Sequence, residues 1–267
     1  MALTLQQKQQ VLEESSNNII IPRIPIIIKL EVRSFPKISR NARRPFDPGI
    51  MTLMSQTMST LLTQVEGSIF GYQYSDKIIL ILKNDQSPDT EPWFNNKVQD
   101  IASVTSSIAT HAFLSNFMDM ENAPELDGPV LFKSTVFGTS GVSDCISYMI
   151  YRQLRCMHDS LNLVCYDVLK ERFGNSLYSY LEDKGIDDRL RLLQEEKVDY
   201  ENDYPNIIRL GIAAYLTPYL HESKAGKITK HRWFLDSKVP VFSENRDFLK
   251  TIFTTGSDIF RSGRDFD

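Results

Sequence analysis

The sequence predicts an α+β protein in which an antiparallel sheet carries two helices on one face. Four short segments rich in aliphatic or aromatic residues have the composition of strands, and two longer segments repeat apolar residues at helical spacing. Between residues 24 and 137 these segments alternate as strand, helix, strand, strand, helix and strand. This order defines the ferredoxin-like βαββαβ unit, which places both helices on the same side of the sheet.

The first strand is predicted over residues 24–35 and the first helix over residues 47–65. Asp47 suits the position that caps a helix N-terminus, and Pro48 suits the first helical position, where no N–H is needed. Gly67 lies just past the last apolar repeat, which is a usual place for a helix to end. These signals set both ends of the first helix.

Two further strands, over residues 68–74 and 77–83, flank Asp76 so closely that only a tight hairpin connects them. A second long helix follows over residues 94–117, and a strand over residues 130–137 completes the unit. The same arrangement forms the palm of several nucleotidyl transferases, but a fold alone does not give a function.

The chain after the palm is predicted to be mostly helical over residues 142–197, as several separate helices, with a strand over 207–219 and a helix over 247–254. The predicted organisation therefore has four parts: a polar N-terminal tail over 1–20, the palm domain over 21–140, a remainder of helices and a strand over 141–220, and a basic C-terminal extension over 221–267.

Composition argues against several classes of function. The 267 residues carry a net charge of −4, with 30 basic and 34 acidic side chains, so the chain as a whole is not a strongly basic nucleic-acid binder. No apolar run approaches the roughly 18 residues of a membrane span. The scattered histidines argue against a zinc site. Cys145, Cys156 and Cys165 lack CxxC spacing, so we expect free thiols in a reducing, cytoplasmic setting.

Two carboxylates, Glu31 and Asp76, are notable because each lies at or beside the end of a predicted strand. If the two strands pair, both side chains can face one divalent ion. Carboxylate oxygens are suitable ligands for Mg²⁺, which supports nucleotidyl transfer. Acids at strand ends are also ordinary solvated surface residues, so the pair alone leaves both interpretations open.

A basic stretch surrounds the first of these acids. Six basic residues fall within residues 29–44 against the single acid Glu31: Lys29, Arg33, Lys37, Arg40, Arg43 and Arg44. Such a local cluster is suited to a triphosphate or to an RNA backbone even when the whole chain is acidic. A solvated loop is the alternative interpretation.

Four short motifs occur in order: LEVRSF at residues 30–35, RPFD at 44–47, GYQYSD at 71–76 and YRQ at 151–153. Together they resemble the tRNA-His guanylyltransferase-like family, and its shorter bacterial and phage members most of all. That family's pattern reads RLDGRxF, KPFD, GYxQSDE and WRQxD, in the same order and at similar spacing on a βαββαβ palm. The resemblance covers about residues 22–216.

The resemblance implies an activity, its cofactors and a set of site residues. Family members add a nucleotide to the 5′ end of RNA, usually a tRNA, after activating that end with ATP or GTP, and they commonly form homo-oligomers. Two Mg²⁺ ions are implied, held by Glu31, the backbone carbonyl of Val32 and Asp76, with both acids catalytic. Contacts with triphosphate or RNA are implied for Lys29, Arg33, Arg43, Arg44, Asp47 and Ser75.

Several positions depart from the family's pattern: Glu31 for Asp, Val32 for Gly, Lys77 for Glu, Arg155 for Asp, Asp159 for Asn and Asn175 for Lys. The retained pair Glu31 and Asp76 favours a divergent 3′–5′ nucleotidyltransferase. The cations at Lys77 and Arg155 favour a catalytically degenerate palm that still holds a nucleotide or RNA, or serves as a subunit of an assembly. A cyclase-type palm fits the later motifs less well.

Overall fold

The computed structural model describes the chain except for residues 1–3, 16, 34, 41, 86–88, 121–125, 127, 224–225, 260–263 and 267. The helices of the described part are α1 (Leu5–Glu14), α2 (Phe35–Ile38), α3 (Pro48–Gln64), α4 (Val98–Met118), α5 (Val142–Phe173), α6 (Leu177–Glu182), α7 (Ile186–Glu195), α8 (Tyr200–Asp203), α9 (Asn206–Arg209) and α10 (Arg246–Ile259). The strands are β1 (Ile26–Val32), β2 (Ser68–Tyr74), β3 (Lys77–Leu82), β4 (Phe132–Gly138), β5 (Ile212–Ser223), β6 (Gly226–Asp236) and β7 (Arg264–Phe266).

The strands form one sheet in the order β4-β1-β3-β2-β5-β6-β7. Every neighbouring pair is antiparallel except the short parallel pair of β6 and β7. The predicted α+β class and the antiparallel sheet are therefore confirmed. β1 lies between β3 and β4, so the strand that carries Glu31 is hydrogen-bonded on both sides.

The sheet carries apolar side chains on both faces. Along β1, Ile26, Ile28 and Leu30 lie on one face and pack with α3 and α4, because successive side chains of a strand alternate between the faces. Ile27 lies on the other face, where the strands pack against α5 and α10. The predicted pair of helices corresponds to α3 and α4, whereas the cover on the second face has no counterpart in the predicted unit.

Two elements after residue 140 differ from the sequence prediction. The region predicted as separate helices after residue 142 begins with one continuous helix of 32 residues, which ends at Gly174, where φ is 51°. The strand predicted over 207–219 begins only at Ile212, because α9 occupies the preceding residues. The apolar run there is short, and periodicity does not separate a short strand from a helical turn.

The two terminal regions contain secondary structure beyond the helix predicted over 247–254, which corresponds to α10. The polar tail over 1–20 contains α1, whose N-terminus is capped by the hydroxyl of Thr4. The basic extension over 221–267 holds the distal half of the β5–β6 hairpin and α10. Within the described residues, no helix is both long and apolar enough to cross a membrane.

The three cysteines are buried and unpaired, in agreement with the predicted free thiols. Burial raises the pKa of the Cys156 thiol to about 12 and that of the Cys165 thiol to about 11. Both thiols therefore stay protonated at neutral pH and act as small apolar side chains rather than as nucleophiles.

Candidate functional site

Glu31 and Asp76 lie at the same end of the sheet. β1 and β3 are antiparallel neighbours in which Glu31 is paired with Lys77, the residue that follows Asp76. The backbone N–H of Val32 donates a hydrogen bond of 3.1 Å to the carbonyl of Asp76, which ties the end of β1 to the β2–β3 turn. The structure thus brings the two predicted acids to one end of adjacent strands.

Each of these two carboxylates already contacts a lysine. Lys77 Nζ lies 2.5 Å from Asp76 Oδ1. Lys29 Nζ lies 3.0 Å from Glu31 Oε2, and Lys133 Nζ approaches Glu31 Oε1 at 3.6 Å. The two acids are three-quarters or more buried, at 25% and 20% exposure, so these ion pairs are only partly screened by water.

The lysines set the charge state of Glu31. Burial alone raises the pKa of this carboxyl, but the hydrogen bond from Lys29 and the surrounding lysine charges outweigh burial and hold the pKa below its usual value. Glu31 is therefore ionised at neutral pH. A lowered pKa stabilises the fold above the pKa of the unfolded chain, and this contribution is lost as the pH falls through the folded pKa.

The residues implied as Mg²⁺ ligands do not fit two metal ions in this arrangement. Mg²⁺ requires several oxygen ligands in near-octahedral geometry, and here each candidate carboxylate is engaged by an ammonium group. Within the described part of the chain, no group of three or more His, Cys, Asp or Glu side chains is placed to hold an ion. The Val32 side chain is 3% exposed and packs in the core beneath α3 and α4.

Arg152, from the YRQ motif, lies in a box of three tyrosines on the α5 side of the sheet. Its guanidinium carbon lies 5.5 Å from the ring centre of Tyr74, 5.9 Å from that of Tyr148 and 5.6 Å from that of Tyr151. Lys77 Nζ also lies over the Tyr74 ring, at 5.7 Å. Lys77 therefore joins the tyrosine box to the lysine–carboxylate pairs. The sequence prediction of site residues did not include this box.

A cleft of about 320 Å³ opens beside this cluster, which is large enough for a small organic ligand. Arg43, Arg44, Asp47 and Ser75, four of the residues implied as triphosphate or RNA contacts, line it. The rest of its wall is formed by Phe35, Pro36, Ser39, Ala42, Pro45, Phe46, Ile50, Met51, Gln73, Tyr74, Cys156, Asp159, Ser160, Leu163, Ile207 and Ile208. Tyr74 thus belongs to both the cleft and the tyrosine box.

Asp47 shapes the cleft by capping α3. One carboxylate oxygen accepts hydrogen bonds from the N–H groups of Gly49 at 2.9 Å and Ile50 at 3.1 Å, and the other accepts one from Arg43 N at 2.9 Å. Burial raises the pKa of Asp47, but these three donors outweigh burial and lower it below its usual value. The predicted helix cap is confirmed, and the same contacts fix the loop that carries the arginines.

The remaining predicted contact residues lie elsewhere. Lys29 is engaged by Glu31, and neither Lys29 nor the exposed Arg33 lines the cleft. Among the positions that depart from the family's pattern, Arg155 pairs with Asp159 at 3.1 Å at the rim of the cleft. Asn175 is exposed in a turn after α5 and does not line the cleft.

Gln153, which follows Arg152, has a structural role. The side chain is 2% exposed; its Nε2 donates to Pro240 O at 2.9 Å and its Oε1 accepts from Phe242 N at 2.7 Å. The YRQ motif therefore contains Arg152, which faces the candidate site, and Gln153, which attaches the C-terminal segment to α5.

The fold places the chain in the structural class of Thg1-like proteins. A bacterial tRNA(HIS) guanylyltransferase (Thg1)-like protein solved in complex with ATP superposes with a TM-score of 0.78 at 21% identity, covering 94% of this chain and 99% of its own. The corresponding protein solved in complex with GTP gives 0.72 at 20% identity, covering 93% and 98%. The tRNA(His) guanylyltransferase of Saccharomyces cerevisiae gives 0.67 at 17% identity, covering 82% and 93%. At these identities the likeness shows the fold.

The family follows from the sequence match. The family model for tRNAHis guanylyltransferase (Thg1) matches residues 7–140, half of the chain, and the chain belongs to this family. A curated relative, tRNA(His) guanylyltransferase 2 of Arabidopsis thaliana, is 22% identical over 145 residues. That match spans 54% of this chain but only 26% of the relative, so the matched segment covers about a quarter of that protein's length.

Proposed function

We propose that this chain binds a nucleoside triphosphate at the end of the sheet where β1 and β3 meet, on a ferredoxin-like palm in which nucleotide transfer has degenerated. The observation that carries the proposal is the cleft: its apolar walls suit a purine, and it meets a cluster of cations at Tyr74. The bacterial relatives solved with ATP and with GTP support the choice of ligand class. RNA, including the 5′ end of a tRNA, is the second ligand that family membership supports.

The degenerate interpretation rests on the ion pairs. A two-metal transferase uses its acids to hold the ions that activate the attacking hydroxyl and neutralise the leaving group. Here Lys77 neutralises Asp76, and Lys29 with Lys133 neutralises Glu31. A metal ion that binds these acids has to compete with the ammonium groups for their charge.

The second candidate function is 3′–5′ nucleotide addition to the 5′ end of tRNA or another RNA, using two Mg²⁺ ions. The observation that favours it is the position of Glu31 and Asp76, which sit at one end of hydrogen-bonded strands as a shared metal site requires. Single-turnover assays with 5′-triphosphorylated and 5′-monophosphorylated tRNA separate the two candidates, because only the enzyme extends the RNA.

Filling the cleft should weaken nucleotide binding without unfolding the protein. We expect Leu163→Trp, at the α5 wall, to weaken ATP and GTP binding by about tenfold or more, because the larger ring occupies the space proposed for the base. Isothermal calorimetry measures this. Leu154→Trp is the matched control, since Leu154 is half-exposed on the same helix and does not line the cleft. Equal affinities in the two variants would place the nucleotide elsewhere.

Reversing the charge of Arg43 and Arg44 should weaken triphosphate or RNA binding and flatten its dependence on salt. Fewer counterions are released on binding when cation–phosphate contacts are lost. The slope of the logarithm of the association constant against log[salt] therefore becomes shallower by roughly one for each lost contact. The matched control is Arg191→Glu with Lys197→Glu, an exposed pair on and after α7. Binding titrations at several salt concentrations measure the slopes. If both double variants behave alike, the arginine loop is a solvated surface.

A further inference from the structure

Cationic side chains outnumber carboxylates where the cleft meets the end of β1 and β3, the place proposed for the phosphates of the nucleotide. Lys29, Lys77 and Lys133 contact the two acids, and Arg152 stands over the same tyrosine ring as Lys77. Three lysines therefore contact Glu31 and Asp76, and a fourth cation, Arg152, shares the Tyr74 ring with Lys77. Side chains of the protein therefore supply the excess positive charge here, whereas metal ions supply it in a two-metal site.

Arg152 is buried with hydrogen-bond donors unused. The residue is 7% exposed, and its Nε and Nη2 atoms have no hydrogen-bond partner within the described structure. The nearby acids are each engaged by another cation: Asp76 by Lys77, Glu31 by Lys29, and Asp159 by Arg155. A buried guanidinium without an anion is strongly unfavourable, so its surroundings suit an anionic ligand.

The tyrosines of the box do not supply that anion. Burial raises the pKa of both Tyr74 and Tyr148, so their hydroxyls remain neutral at physiological pH. The Tyr74 hydroxyl is itself buried without a hydrogen-bond partner in the described structure. Arg152 and Tyr74 thus leave donors unsatisfied in adjoining side chains, and a ligand rich in acceptor oxygens satisfies both at once.

We propose that Arg152, Tyr74 and Lys77 bind the polyphosphate of a nucleoside triphosphate without a divalent metal ion, with lysines in place of the family's magnesium. This inference rests on the proposed nucleotide-binding function and identifies which residues hold the phosphates. Arg152 contributes a planar pair of donors, which matches phosphate oxygens better than a single ammonium does. Lys77 leaves Asp76 or bridges it to the ligand, because its side chain is a quarter exposed and flexible.

The test compares ATP and inorganic tripolyphosphate, each titrated into the full chain in EDTA and in Mg²⁺. We expect both ligands to bind in EDTA, with ATP affinity changing by less than about threefold when Mg²⁺ is added. ATP should bind more tightly than tripolyphosphate, because only ATP places a base in the cleft. Binding of ATP only in Mg²⁺ overturns the inference and leaves nucleotide binding intact, whereas no ATP binding in either condition overturns both.

Substitutions test whether Arg152 binds the polyphosphate. Arg152→Met keeps a long apolar side chain among the tyrosines, and we expect it to weaken tripolyphosphate and ATP alike by about tenfold or more in EDTA. Arg172→Met is the control: it lies on the same helix, roughly 30 Å away at 1.5 Å per residue, and is exposed. Leu163→Trp should weaken ATP but leave tripolyphosphate unchanged.

Folding of each variant is checked by circular dichroism and thermal melting. A folded Arg152→Met protein with unchanged tripolyphosphate affinity overturns the assignment. Should that variant fail to fold, Lys77→Met decides, because Lys77 is more exposed and its removal should weaken tripolyphosphate binding in EDTA several-fold. Unchanged binding in the Lys77 variant overturns the proposal that lysines replace the metal.

Discussion

Replacing Lys77 with glutamate and Glu31 with aspartate should give this chain a magnesium site that its own sequence does not offer. The first change removes the ammonium that lies 2.5 Å from Asp76 and adds a carboxylate beside it. The second shortens an acid that now reaches Lys29 and Lys133. Charges a few ångströms apart interact by several kcal/mol at protein-like dielectric constants, so we expect Mg²⁺ affinity to rise by at least about tenfold.

Calorimetric titration of Mg²⁺ into the natural chain and the double variant measures this gain. The double variant should also lose affinity for ATP in EDTA and regain it when Mg²⁺ is added, since a metal then has to supply the missing charge. Lys170→Glu is the control, because Lys170 makes a comparable ion pair with Asp167 on the exposed side of α5. Micromolar Mg²⁺ binding by the natural chain would contradict the expectation.

Val32 is best left unchanged in this experiment. The family pattern has glycine here, but Val32 is 3% exposed and packs beneath α3 and α4. Removing a buried valine side chain costs about 1–3 kcal/mol in lost burial, and glycine weakens the strand further. A loss of stability would then mask any gain in metal binding. We expect the double variant to gain metal affinity but little 5′-nucleotide addition, because the exchange at Arg155 is untouched.

The positions of the two acids could be predicted from sequence, but their partners could be predicted only in part. Alternation along a strand puts Lys29 and Glu31 on the same face, so that ion pair is readable from β1 alone. Lys133 reaches Glu31 because β4 pairs with β1 at Lys133, a register that depends on tertiary packing. The hairpin places Lys77 beside Asp76, but its side chain could equally have turned to solvent.

The second face of the sheet shows that a sequence pattern predicts a helix or a strand better than it predicts what that helix or strand packs against. α3 and α4 belong to a compact local unit, so their order along the chain predicts where they pack. α5 was readable as helical, but nothing in its periodicity says that it covers the opposite face of the same sheet. The tyrosine box depends on that contact, because Tyr148 and Tyr151 on α5 meet Tyr74 on β2 only through it. The motif alone therefore assigns no role to Arg152.

Replacing Gln153 with leucine should destabilise the protein by about 2–6 kcal/mol. Leucine has a similar volume but leaves Phe242 N and Pro240 O without the amide that now pairs both. Each buried backbone group left unsatisfied costs about 1–3 kcal/mol. Phe242 is fully buried and lies 5.6 Å from the ring of Tyr72, which in turn lies 5.6 Å from that of Tyr74. Loosening this segment therefore removes support directly behind the candidate site.

Thermal and urea unfolding measure the loss, at about 2–4 °C in Tm for each kcal/mol in a chain of this size. Gln194→Leu is the matched control, because Gln194 is exposed on α7 and the same substitution there should change stability by less than about 0.5 kcal/mol. Equal melting temperatures for the two variants would show that water satisfies the segment around Phe242. A large loss of stability in Gln153→Leu alone would show that this motif residue acts through the fold. Gln153 holds the C-terminal segment against α5. Phe242 of that segment supports Tyr72 and Tyr74, which lie beneath Arg152.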